Sequence, residues 1–283
     1  MAVFTPPLPV SEYIPHRGKM SFLDYIIECD SNSCITEMEI KEENIFLFEN
    51  RLLDPVLFIE LIAQTAATLS GYSNPDIRKS GFLVGVTDFS TLRDIDLSPG
   101  SKIKTRINRE AEFNNFGFFS GEVFMGKKLY ARANIRVWEQ ESETTPADSA
   151  APFPSDPVQK KIFLKDEILN SLLSFKKEKN SINADFSLTE DFTGFNGHFP
   201  GNPVLPGVMA LKIGQSILEK AIDTPLILKY VSRIKFPKTI ENDEKISLRL
   251  VYTLEEDIYL VDIRLVSNNE LCSSIHCTFE KRG

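Results

Sequence analysis

The sequence predicts an α+β protein of two similar halves, each an antiparallel sheet wrapped around one long buried helix. Three observations carry this. One order of elements occurs twice along the 283 residues: two strands, one long helix, then four strand-like runs. The helical segment of the first half, residues 56–69 (VLFIELIAQTAATL), is apolar nearly all round, which calls for burial on most sides. Between the halves, residues 139–157 (EQESETTPADSAAPFPSDP) are rich in proline, alanine, serine and acids. Such a stretch buries too little apolar surface to offset its ordering entropy. The expected division is therefore a first domain over 1–138, a linker over 139–160 and a second domain over 161–283.

The elements of the first half follow in order. FLDYIIECD (22–30) and SCITEMEI (33–40) read as strands, and PVLFIELIAQTAATLSG (55–71) as the helix. GFLVGVTDF (81–89), SKIKTRINRE (101–110), FGFFSGEVFM (116–125) and KLYARANIRVW (128–138) read as the four closing strands. In the second half the strands are LLSFKKEKN (172–180) and SINADFSLT (181–189), followed by a Gly/Pro-rich loop. The helix PGVMALKIGQSILEKA (206–221) comes next, then runs at 226–236, 245–255, 258–266 and 271–280. Period-two alternation in KISLRLVY and IYLVDIRLV marks strands with one solvated face.

Bulk composition excludes several classes. A net charge of −8 argues against a nucleic-acid binder. The longest apolar stretches fall short of the ~20 residues needed to span a membrane. The N-terminus lacks a charged region ahead of an apolar run, so no secretory signal is expected and the cytoplasm is the default. Four cysteines in two distant pairs, none in CxxC spacing, together with three histidines, give no reason to expect a zinc centre. Reduced thiols are expected instead.

Two charges stand in helices that otherwise avoid them. Glu60 is the one charge in the first helix, and Lys212 the one in the PGVMALKIGQSIL core of the second. A carboxyl group kept neutral by apolar walls is what a general acid requires. A place on an exposed stripe is the plainer alternative for Glu60. Gln64, four positions on, shares its face and is placed either to orient the carboxyl group or simply to continue that stripe. The loop GFNGHFPGNPVLPGV (194–208) holds His198 in a tight glycine- and proline-rich path. Pro206 and Gly207 then open a helix whose first N–H groups favour a developing oxyanion. His198 is thus a candidate base, with a structural loop histidine as the alternative.

The run from His198 to Val208, HFPGNPVLPGV, closely resembles the signature of bacterial 3-hydroxyacyl-acyl-carrier-protein dehydratases. The resemblance covers roughly 160–283. In the first half PHRGKM (15–20), LLDPVLFIELIAQ (52–64) and GFLVGV (81–86) resemble dehydratase-related hot-dog domains, including those of aryl-polyene and flexirubin pigment clusters. The resemblance implies a tandem double hot-dog fold packed as an intramolecular pseudo-dimer. In such dimers each site takes its histidine from one subunit and its acid from the other.

The departures from that pattern are complementary. Fourteen residues after His198 stands Lys212 rather than an acid, and fourteen before Glu60 stands Phe46 rather than histidine. By resemblance, His198 and Glu60 form one live site, with Gly207 and Val208 at the oxyanion and Gln64 beside the acid. Phe46 and Lys212 mark a dead counterpart, so Lys212→Ala is expected to be nearly silent. The implied reaction is dehydration of a 3-hydroxyacyl thioester, without metal or cofactor, on a substrate carried by an acyl carrier protein. The acyl chain is expected between the helices, along Phe58, Leu61, Met209 and Ile213. A basic rim of Lys229, Arg233, Lys235 and Lys238 is expected to meet the acidic carrier. A hot-dog thioesterase and a non-catalytic acyl-binding partner remain as alternatives. His16 and His276 carry no functional expectation.

Overall fold

Alternation in the sequence becomes alternation in burial, and that places the sheet faces. The computed structural model describes residues 7–74, 79–141, 163–198 and 203–282. In chain order the elements are β1 (Leu8–Pro9), β2 (Tyr25–Cys29), β3 (Ser33–Glu39), α1 (Leu57–Ser73), β4 (Lys79–Thr91), β5 (Lys102–Phe113), β6 (Phe116–Met125) and β7 (Lys128–Glu141). They continue with α2 (Leu164–Asn170), β8 (Leu172–Lys177), β9 (Ser181–Ser187), α3 (Gly207–Ile222), β10 (Leu226–Lys235), β11 (Lys245–Glu255), β12 (Ile258–Ser267) and β13 (Glu270–Lys281). Along β11, Ile246, Leu248, Leu250 and Tyr252 are buried while their neighbours face solvent. The short β1 and α2 are additions to the elements expected from sequence. The strand β7 runs to Glu141, three residues past the expected boundary, and the rest of the expected linker lies outside the described residues.

The two expected sheets are in fact one. Thirteen strands join in the order β1-β2-β3-β5-β6-β7-β4-β10-β13-β12-β11-β9-β8, all paired antiparallel. The junction is β4 against β10, from Ser90 opposite Tyr230 to Gly85 opposite Lys235. The physical reason is the edge. Each half ends its meander on a strand whose outer N–H and C=O groups need partners, and the other half supplies them. On either side of the junction the order repeats in reverse, so the halves are related by a pseudo-two-fold.

The helix α1 packs against β3 to β7 and α3 against β9 and β11 to β13, while the two helices also touch each other. Twelve residues of α1 are buried, Glu60 and Gln64 among them. Among the described residues no helix is long and apolar enough to cross a membrane.

Candidate functional site

His198 is set by the loop ahead of α3. Its backbone N–H donates to the Phe195 carbonyl at 3.1 Å, and the Val204 N–H donates back to the His198 carbonyl at 3.3 Å. The imidazole Nδ1 lies 2.8 Å from the Val204 carbonyl oxygen. A carbonyl only accepts, so Nδ1 carries the hydrogen and Nε2 is left as the basic nitrogen. Residues 199–202, the middle of the HFPGNP run, lie outside the described residues.

Glu60 reaches the same place from α1 in the other half. It is buried, and Gln64 Nε2 donates to its Oε1 at 2.9 Å. Gln64 also donates to the Met20 carbonyl at 2.8 Å and accepts from the Phe22 N–H at 3.3 Å. The amide is thereby fixed in one orientation, with its NH₂ toward the carboxyl group. Gln64 thus faces Glu60 as a hydrogen-bond donor and is not on an exposed stripe.

The third member is His16, which sequence reasoning passed over. Its Nε2 lies 3.7 Å from Glu60 Oε1, and its ring meets the His198 ring edge-on with centroids 5.4 Å apart. Ligating atoms of His16, Glu60 and His198 all lie within 4.8 Å of one another. The segment 16–20 is held on the His198 loop by backbone contacts across the halves. The Arg17 N–H donates to the Gly197 carbonyl at 3.0 Å, and the Met20 N–H to the Asn196 carbonyl at 3.1 Å. Gly197 has φ +87°, and a Cβ there would meet the Arg17 carbonyl oxygen at 1.7 Å, so the approach demands glycine. The resemblance of PHRGKM (15–20) to hot-dog domains was the one available signal for His16.

Burial separates the proton affinities of these groups. It pushes Glu60 up to about 7, against a smaller opposing effect of the Gln64 hydrogen bond. Burial also pushes His198 down to about 4, although its hydrogen bond to Val204 works the other way. His16 is held well below the ordinary histidine value by burial first, then by His198 and Arg17. Near neutral pH the site thus holds two uncharged imidazoles and a carboxyl group poised between its forms.

The three residues line a cavity of about 440 Å³. Its walls include Ala63, Ala67, Phe82, Trp138, Ala210 and Phe236, with Gly207 at the start of α3. The expected lining of Phe58, Leu61, Met209 and Ile213 is corrected: all four are fully buried and none faces this space. Helical periodicity explains it. Ala63 and Ala67 follow Glu60 at i+3 and i+7, on its own face, whereas Phe58 and Leu61 point elsewhere. Small side chains there make the room. Gly207 serves the same end, since a Cβ would come within 2.7 Å of the Phe236 ring. Helix geometry leaves the first N–H groups of α3 without an intrahelical acceptor. Val208 is buried and is not part of the cavity wall, so any contribution is through its backbone.

The four residues of the expected basic rim fall in different surroundings. Lys229 pairs with Glu280 at 2.8 Å, Arg233 and Lys235 line a separate surface groove, and Lys238 alone of the four lines the cavity, in contact with Glu270.

The counterpart position holds Phe46 and Lys212 together, lining a smaller cavity of about 210 Å³. Lys212 is not idle. Its Nζ lies 2.5 Å from Asp54 Oδ2, with both groups buried, and 5.2 Å from the Phe48 ring centroid. A buried partner from the other half depends on it, so its replacement bears on stability rather than on turnover.

Two family models match separate parts of the chain. Residues 8–147 match the family model of ApeP-like dehydratases, described as ApeP dehydratase. Residues 174–275 match that of ApeI-like dehydratases, described as ApeI dehydratase. Among curated proteins nothing matches the sequence. One similar solved structure is the dehydratase heterocomplex ApeI:P from Xenorhabdus doucetiae, at 22% identity and TM-score 0.44, covering 47% of this chain and 91% of that one. A second is the bifunctional dehydratase-cyclase domain of ambruticin biosynthesis, at 12% identity and TM-score 0.52, covering 93% and 95%. A third is the 12:0-ACP thioesterase from Umbellularia californica, at 9% identity and TM-score 0.55, covering 88% and 94%. None of the three establishes more than likeness of fold.

Proposed function

Because the chain belongs to the ApeP-like and ApeI-like dehydratases, one domain of each in tandem, we propose that it dehydrates a 3-hydroxyacyl thioester to the trans-2-enoyl thioester at one composite site. In this reading two hot-dog modules, 1–138 and 161–283, pack as a pseudo-dimer and share the work. The first supplies Glu60 and the second His198. The observation that carries the reading is the approach of these two groups to within 4.8 Å beside a cavity, while the opposite position holds Phe46 and Lys212.

The chemistry follows from the geometry. His198 Nε2 takes the C2 proton, and the electron pair moves toward the thioester carbonyl. The Gly207 N–H, at the positive end of α3, stabilises the enolate-like oxygen. Collapse of that pair forms the C2–C3 double bond and breaks the C3–O bond. Glu60, protonated, gives its proton to the departing hydroxyl, which leaves as water. Gln64 and His16 position the carboxyl group. Return of the proton from His198 to Glu60 restores the starting state. Atoms and electrons balance without a redox partner. The thioester arrives on a phosphopantetheine arm, for which an acyl carrier protein is the proposed partner, with Lys238 at the cavity wall as the remaining basic contact.

The test is a coupled measurement on a carrier-linked 3-hydroxyacyl substrate. Enoyl absorbance should rise without release of free thiol. Thiol release without enoyl product would make the chain a thioesterase, and neither signal would leave an acyl-binding partner. The pH profile adds a second check. Below about 4, His198 is a cation and cannot accept the C2 proton. Above about 7, Glu60 is a carboxylate and cannot donate. A bell-shaped kcat/KM with limbs near those values is expected, and a profile that stays flat through neutral into alkaline pH would remove Glu60 from the acid role.

A further inference from the structure

We propose that His16, Glu60 and His198 also form a binding site for one divalent transition-metal ion, and that the bound ion holds the enzyme off. The histidine and cysteine count gave no hint of this, because the three residues are far apart in sequence and come together only through the pairing of segment 16–20 with the His198 loop. Two imidazole nitrogens and one carboxylate oxygen lie within 4.8 Å of one another beside a cavity. Around a tetrahedral ion with bonds near 2 Å, ligand atoms lie roughly 3.3 Å apart. The His16–Glu60 separation is already 3.7 Å, so small side-chain rotations complete the set.

Two of the three groups have the surroundings of metal ligands. A ligating histidine ordinarily donates its other ring N–H to a carbonyl, and a ligating carboxylate is itself hydrogen-bonded. His198 Nδ1 does the first, toward Val204 at 2.8 Å. Glu60 does the second, through Gln64 at 2.9 Å. Three protein ligands leave the remaining positions open to the cavity. Two nitrogen donors select zinc, cobalt, nickel or iron over magnesium and calcium, which prefer oxygen. Binding displaces the Glu60 proton and changes no oxidation state. The inhibitory half rests on the dehydratase reading, since the ion would occupy the lone pair of the base and the oxygen of the acid together. The binding half stands without it.

The test uses the full chain, stripped with chelator and titrated with Co²⁺, read by visible d–d absorption without substrate. Absorption saturating at one equivalent and displaced by Zn²⁺ is expected. His16→Gln and His198→Gln should each abolish it, and Glu60→Gln should weaken binding at least tenfold. His276→Ala should leave it intact, because that histidine sits on the surface beside Asp262. Zn²⁺ should raise the melting temperature of the parent but not of His16→Gln, whose folding is checked by circular dichroism. Zn²⁺ should stop enoyl formation, chelator should restore it, and Mg²⁺ should do nothing. No saturation at one equivalent, a spectrum that survives both His16→Gln and Glu60→Gln, or loss in His276→Ala would overturn the site. Binding in a chain that shows no turnover would sink the dehydratase reading and leave the metal site standing.

Discussion

His198→Ala and Glu60→Gln should each reduce turnover by ~10²–10⁴-fold or more, the usual reach of a general base or acid, with native circular dichroism. The two losses should not multiply. Base and acid act in one elimination, so the double variant is expected to be about as slow as the worse single one. Glu60→Gln carries a second signature, in stability. The folded Glu60 value, about 7, lies above its unfolded value of 4.5. Its contribution to stability is therefore full below the unfolded value and is lost as pH rises through about 7. The difference amounts to about 3 kcal/mol. Glutamine keeps the neutral shape and cannot ionise. The variant should thus be more stable than the parent at alkaline pH and nearly equal to it in acid, as read by urea unfolding at two pH values. Equal stability at both would mean that Glu60 is not desolvated in solution. A variant that keeps its activity would remove the residue from the chemistry.

What the sequence made legible was local or complementary. The strands of both halves could be read because alternation survives in single stretches such as Ile246 to Tyr252. Burial of α1 could be read because Glu60 is its one charge. The pairing of Glu60 with His198 in the candidate site could be read because Phe46 and Lys212 each replace what the other half retains. What stayed hidden depends on contacts between distant backbones. Pairing of β4 with β10 joins the sheets through main-chain groups that any sequence carries. His16 stands in an irregular stretch with no periodicity, and only the contacts of Arg17 and Met20 with the Asn196–Gly197 turn bring it to Glu60. The cavity wall was hidden for a related reason. Apolar bulk points to Phe58, Leu61, Met209 and Ile213, whereas the space exists where the helices present Ala63, Ala67, Gly207 and Ala210 instead.

The same reasoning makes Lys212→Ala a severe lesion of folding rather than of chemistry. Asp54 performs two tasks at the start of α1. Its Oδ1 accepts from the Val56 N–H at 3.0 Å, and its Oδ2 meets Lys212 Nζ at 2.5 Å. Neither side chain of the pair is more than 7% exposed. Removing the lysine leaves a buried carboxylate without its counter-ion, a change typically worth about 3–5 kcal/mol. The pair as a whole is worth far less, because both charges had to be desolvated to form it. Combining Lys212→Met with Asp54→Asn should therefore recover most of the loss, since asparagine still presents an oxygen to Val56. Turnover per folded molecule should stay within a few-fold of the parent in both variants. Denaturant midpoints set against active-fraction-corrected rates separate the two effects. A Lys212→Ala protein of parental stability but little activity would place chemistry in the second cavity and dismantle the one-site account. A double variant as unstable as the single would show that the loss comes from packing against Phe48, not from an orphaned charge. The ion pair also crosses from one half to the other, from the α1 side of the junction to α3. Two first halves packed together would bring Asp54 toward a second acid, and two second halves would leave Lys212 without one. The buried pair thus favours the arrangement in which Glu60 and His198 meet.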